Sequence, residues 1–120
     1  QHKLPVKIFI INNQYMGMVR QWQELLHDKR YSHSYTDALP DFVKLAEAYG
    51  AIGIRAKTPG ELDEKIKEMI NSNKPVIFDC VVDKQENCYP MIPSGKPHNQ
   101  MLLGEEDEKE DVSDEGKTLV

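Results

Sequence analysis

The run Val6-Lys7-Ile8-Phe9-Ile10-Ile11-Asn12-Asn13-Gln14-Tyr15-Met16-Gly17-Met18-Val19 is apolar and β-branched, ends abruptly in two carboxamides and then opens into a helical pattern through a glycine. A run this short and this apolar predicts a strand buried on both faces, as in a parallel sheet covered by helices. In such sheets ligands bind beyond the carboxyl ends of the strands, which is where Asn12 and Asn13 fall. A carboxamide offers a neutral oxygen to a hard cation, and Gly17 lets backbone approach a bound group closely. Asn and Gly are equally common turn formers, so the spacing alone leaves a plain turn as the competing reading.

Working outward, Met18, Trp22 and Leu25 share one stripe of a helix predicted from near Met16 to Lys29. Its first turn should face the ligand end and its later turns should pack, with its free N–H groups suited to an anion. Pro40 and Asp41 announce a second helix with Phe42, Leu45, Ala46 and Tyr49 on its inner face and Gly50 as its stop. A short strand over residues 51–56 follows. Thr58 and Glu61 around Pro59 form a capping box, and the third helix carries Leu62, Ile66, Met69 and Ile70 inward. Residues 76–82 form the second strongly apolar strand. This alternation predicts an α/β fold, a parallel sheet flanked by helices. Residues 87–104, punctuated by Pro and Gly, make a connection long enough to suggest function or disorder.

With 120 residues the chain holds one domain at most, small for an enzyme. Its start, which runs almost at once into a buried strand, reads as that of a fragment. The net charge is −5, but residues 105–120 carry eight acids and two lysines, a local −6 that leaves +1 for residues 1–104. The nearly neutral body lacks the basic face nucleic acid requires, and the acidic tail is expected to be disordered. No apolar run approaches membrane-spanning length and nothing at the start has a signal-peptide pattern, so no membrane partner is expected. Cys80 and Cys88 have neither metal-ligand spacing nor disulfide density, which fits a reducing cytoplasm. Cys80 reads as a small core residue, and the four histidines show no ligand pairing.

Asn12-Asn13-Gln14-Tyr15-Met16-Gly17-Met18-Val19-Arg20-Gln21-Trp22-Gln23 resembles the thiamine-diphosphate enzymes, specifically the large catalytic subunit of acetolactate synthase (acetohydroxyacid synthase). Arg30-Tyr31-Ser32-His33, Pro40-Asp41-Phe42 and Tyr89-Pro90-Met91-Ile92-Pro93-Ser94-Gly95 are similar to the same subunit in the same order. The double Asn marks the wider superfamily, and the Gly-Met-Val-x-Gln-Trp and Pro-Met-Ile-Pro-Ser-Gly runs point to the narrower family. The resemblance spans about residues 4–104, which it identifies as the C-terminal portion of a thiamine-diphosphate-binding domain, incomplete here. Residues 105–120 lie beyond it.

The resemblance implies that thiamine diphosphate is held through Mg²⁺, with the Asn13 side-chain oxygen and the Tyr15 carbonyl as metal ligands. Only the carbonyl of Tyr15 would be used. The family's third ligand, the Asp of a Gly-Asp-Gly motif about one βα unit upstream, is absent from this sequence. Met16, Gly17, Met18 and Val19 would line the cofactor. Met18, Trp22 and Ser94 would bound the substrate and inhibitor pocket, although Ser94 without the resemblance reads as a turn serine. The implied reaction, on the path to valine, leucine and isoleucine, decarboxylates pyruvate and joins the two-carbon unit to a second pyruvate or to 2-ketobutyrate. FAD and the activating glutamate would belong to other domains, so no catalytic residue is assigned here and this chain alone is expected to be inactive. Catalytic subunits of the family form dimers or tetramers, with a regulatory small subunit as a further candidate partner. The rival readings are another thiamine-diphosphate enzyme, such as pyruvate oxidase or glyoxylate carboligase, and a non-catalytic α/β interaction domain.

Overall fold

A computed structural model describes His2 and residues 4–104. The tail, with its expected disorder, lies outside the described residues. The described residues divide into two compact units, one made of those up to Gln14 with Asp37–Lys84, the other of Tyr15–Thr36 with residues 85–104.

The first unit holds three parallel strands, β1 (Lys7–Asn12), β2 (Ile52–Ala56) and β3 (Val76–Val81), in the order β1-β3-β2. The predicted α/β parallel architecture is therefore present. β3 is central, with Phe78 opposite Phe9 on one side and Ile54 on the other. Its Val76, Phe78 and Cys80 are buried, and with Ile54, Ala56 and Met69 they supply most of the unit's buried apolar residues. The Phe9 ring meets Phe78 edge to face at 4.5 Å, a favoured aromatic geometry.

β1 departs from its predicted burial: Ile8, Phe9 and Ile11 are exposed. The reason is topological. β1 lies at the sheet's edge, while α2 (Phe42–Ala48) packs on β2 and β3 and α3 (Leu62–Asn71) packs on β2. An apolar sequence records what a strand is built to face, not what this chain places against it.

Asp41 caps α2 as expected, its carboxylate accepting from the N–H groups of Val43 and Lys44. The inner face is Phe42, Val43 and Ala46, however, while Leu45 is exposed and Tyr49, 82% exposed, points to solvent. Gly53 explains this choice. A Cβ there would lie 2.6 Å from the backbone of Val43, so the missing side chain lets α2 settle directly onto β2. Gly50 ends the helix at φ +72°, as a stop residue must. The predicted capping box precedes α3. Lys65, together with the Lys57 and Thr58 N–H groups, pulls the Glu61 carboxyl down to about 2. Leu62, Ile66 and Met69 pack inward, whereas Ile70 is exposed.

The second unit is built on α1 (Gly17–Leu26). This helix stops three residues before the predicted Lys29, because Asp28 and Lys29 take left-handed backbone at φ +52° and +58°. Just before it, Tyr15 bridges Tyr35 antiparallel, with Met16 N–H on the Ser34 carbonyl at 2.8 Å. Met91 and Leu102 form a second antiparallel bridge, which folds the long connection back on itself.

Candidate functional site

At the carboxyl end of β1 the two carboxamides have different tasks. Asn12 Nδ2 donates to Asp79 Oδ1 at 2.8 Å, and Asn12 Oδ1 accepts from Gln14 N–H at 3.1 Å. This is an Asx turn, and it accompanies Gln14 in left-handed backbone at φ +59°. The oxygen of Asn12 thus serves the turn. Asn13, half-buried, follows it at the tip.

Asp79 reaches this turn from the central strand. It is only 2% exposed, and its second oxygen accepts from Arg55 Nε at 2.7 Å. Arg55 continues to Asp41 through Nη2 at 2.8 Å. Asp79 raises the pKa of Arg55, keeping the guanidinium charged. Burial works against ionisation of Asp41, but the Lys44 N–H and Arg55 outweigh it and hold that carboxyl below its ordinary value. Burial, aided by the charge of Asp79, pushes the Cys80 thiol up, as suits a core residue rather than a nucleophile. Asn12, Asp79, Arg55 and Asp41 line a polar cavity of about 410 Å³ with Gln14 and Lys57.

In the second unit, α1 begins at Gly17 with no side-chain cap and no acid in its first turn. That leaves orphan N–H donors at a positive dipole end, a chemistry that fits a diphosphate. Met16, Met18 and Val19 are exposed on this opening turn. Met18, Val19 and half-buried Trp22 form an apolar groove of about 530 Å³, completed by Gln23, His27 and Arg30. Ser94 is not among its lining residues. It sits in a Pro93–Lys96 turn closed by a 3.1 Å hydrogen bond, with Gly95 at φ +79°.

The buried side of α1 is not the stripe the sequence suggested. Met18 is exposed and Leu25 half-buried, whereas Arg20 and Gln21 are 2% and 1% exposed. Arg20 pairs with Glu24 and donates through Nη2 to the carbonyls of Gln85 (2.9 Å) and Glu86 (3.0 Å) and to Asn87 Oδ1 (2.6 Å). Gln21 accepts from Cys88 N–H at 2.8 Å and donates to the Cys88 carbonyl at 3.2 Å and to Met91 Sδ at 2.8 Å. Together they clasp the connection that carries Ser94. The sequence signal was slight: both residues belong to the family-like run, but their side chains have no role in the apolar pattern.

For a divalent cation the donor chemistry is decisive. Among the described residues no group of three or more His, Cys, Asp and Glu could hold a metal. Asn13 carries a carboxamide and Tyr15 a peptide carbonyl, hard neutral oxygens of a kind that Mg²⁺ accepts beside an anionic ligand. No helix of the described residues is long and apolar enough to cross a membrane.

The first unit is a parallel α/β sheet with a turn at the carboxyl end of β1, and the second opens on a helix without a side-chain cap. Residues 1–80 match the family model for the thiamine pyrophosphate enzyme, C-terminal TPP binding domain, and the chain belongs to this family. Its relatives narrow the kind. It is 52% identical over 103 residues to an acetolactate synthase large subunit of Cyanidium caldarium, covering 85% of this chain and 18% of that protein. The acetolactate synthase large subunit of Haemophilus influenzae is 44% identical over 110 residues, 91% of this chain and 19% of the relative. An acetolactate synthase isozyme 3 large subunit of Escherichia coli is 44% identical over 106 residues, 86% and 18%. The chain thus spans less than a fifth of the length of these relatives.

Proposed function

We propose that residues 1–104 are the C-terminal portion of the cofactor-binding domain of an acetolactate synthase catalytic subunit, a cytoplasmic transferase serving branched-chain amino-acid synthesis. The observation that carries this reading is the groove of Met18, Val19 and Trp22, whose walls are the residues of the family-like run. The coverage of less than a fifth of the relatives and the exposed apolar faces of β1 support a larger polypeptide around it. That polypeptide would bring the FAD-binding domain and assemble as a dimer or tetramer, with a regulatory small subunit as further partner.

In this reading Asn13 Oδ1 and the Tyr15 carbonyl hold Mg²⁺, and Met16 to Val19 line thiamine diphosphate. The cofactor, when bound, would supply the nucleophilic carbon and electron sink for releasing CO₂ from pyruvate and joining the remaining two-carbon unit to a second pyruvate or to 2-ketobutyrate. The first-turn N–H groups of α1 would offset phosphate charge without needing a protonated side chain. Trp22 presents a flat apolar wall to the acceptor's alkyl group and sheds water from it. Ser94 has a separate task, on the turn held through the Arg20 and Gln21 clasp, and contributes to the pocket mouth.

Trp22→Leu in a full-length subunit tests this. One methylene distinguishes 2-ketobutyrate from pyruvate, worth about 1–3 kcal/mol in an apolar pocket. Loss of the indole should lower the ratio of 2-aceto-2-hydroxybutyrate to acetolactate about tenfold in competition. An unchanged ratio with a depressed melting temperature would make Trp22 ordinary packing and refute its assignment. An enzyme indifferent to thiamine diphosphate would refute the function.

A further inference from the structure

We propose that Asp79 is a positioning residue for the metal-binding turn, acting through Asn12. This rests on the reading of Asn13 as a Mg²⁺ ligand and assigns the turn its orienting partner. Asp79 is buried, and its two oxygens are divided between Asn12 and Arg55. Stability alone does not demand a carboxylate at this buried position, since apolar side chains of similar volume often serve as well. What a carboxylate does here that they cannot is choose the orientation of an amide.

Both Asp79 oxygens accept, one from Arg55 and the other from Asn12, so Asn12 turns its NH₂ toward the carboxylate. That leaves Asn12 Oδ1 for Gln14 N–H, the 3.1 Å bond that closes the turn. Were the amide reversed, its NH₂ would confront the Gln14 N–H, donor against donor, and the left-handed Gln14 would lose this support. Asn13 is covalently bracketed by these two residues. Its backbone direction, and hence the reach of its oxygen, follows from the amide orientation that Asp79 sets. Arg55 is fixed in turn by Asp41, the cap of α2, so the device is anchored in the body of the unit.

The test uses a full-length subunit, with Mg²⁺ titrated by calorimetry at fixed thiamine diphosphate and melting temperature measured without metal. Orienting partners of metal ligands change affinity by about 10–100-fold, so Asp79→Asn, which can donate and lets Asn12 reverse, should raise the Mg²⁺ midpoint about tenfold or more. Asn12→Ala keeps the Asp79–Arg55 pair intact and should raise the midpoint to the same degree. Because both act along one path, the double variant should be no worse than Asn12→Ala alone. Additive losses in the double variant overturn the proposal. So does an unchanged midpoint in Asp79→Asn or Asn12→Ala while Asn13→Ala weakens Mg²⁺, and then the metal site itself survives. If Asn13→Ala leaves Mg²⁺ binding intact, the metal site fails and the proposal with it.

Discussion

The unit built on the sheet buries Val76, Phe78, Ile54 and Met69, whereas the unit built on α1 buries Arg20 and Gln21 as its helix's only fully enclosed side chains. In the first, non-directional apolar burial joins strands and helices, and register is set by a period-two pattern. In the second, directional hydrogen bonds join a helix to a connection about 65 residues further along. The difference teaches where tolerance lies. Apolar burial degrades gradually with volume, while a buried guanidinium with several acceptors fails as a set when one member is removed.

The largest effect should come from breaking the apolar unit at its centre. Phe78→Ala removes a fully buried ring that touches Phe9, and should destabilise by about 3–5 kcal/mol. Amide exchange in a full-length subunit should then accelerate across β1, β2 and β3 together. If β3 alone loosened, the sheet would not be the cooperative unit its packing implies.

The polar unit should break differently. Arg20→Met preserves the volume of the stem but leaves the carbonyls of Gln85 and Glu86 and the side chains of Asn87 and Glu24 without their donor. Hydrogen bonds to charged groups contribute about 1.5–3 kcal/mol each, so local opening of residues 85–91 should become easier by at least that much. Amides of β3 should keep their protection. Equal losses in both regions would erase the contrast between the units.

That contrast also explains what could be read from the chain unaided. Val76 and Phe78 announce themselves as strand core because they fall in a short, predominantly apolar run. Thr58 and Glu61 announce a helix start because the capping box is local. Arg20 and Gln21 gave no comparable signal, since nothing near them in sequence reveals acceptors so far along the chain. Gly53 gave no such signal either, because its role depends on the close approach of α2. At the candidate site the end of β1 and the start of α1 could be read from the chain, whereas the Asn12–Asp79 bond could not, because Asp79 belongs to another strand. The exposure of β1 likewise depends on what the sheet edge meets, which its own residues do not encode.

The smallest expected effect, and the one that sharpens the comparison most finely, concerns a local electrostatic device in the apolar unit. Glu61 accepts from Lys65, from Thr58 Oγ1 and from the N–H groups of Lys57 and Thr58. Its carboxyl is lowered from the ordinary 4.5 to about 2 in the folded chain. A group whose folded pKa lies below its unfolded one binds more protons when unfolded, so its contribution is complete above about 4.5 and is lost as pH falls through about 2. Glu61→Gln should therefore lower melting temperature by a constant amount above pH 5, and that deficit should shrink toward zero as the medium is acidified to pH 2. Taking the difference between the two proteins at each pH removes the titration of every other carboxylate they share. Because Glu61 is solvent-accessible, added salt should also reduce the part of the deficit owed to Lys65, leaving the part owed to the backbone N–H groups. A deficit that persisted unchanged to pH 2 would assign the role of Glu61 to shape rather than charge, and the start of α3 would then owe its stability to the same packing as the strands beneath it.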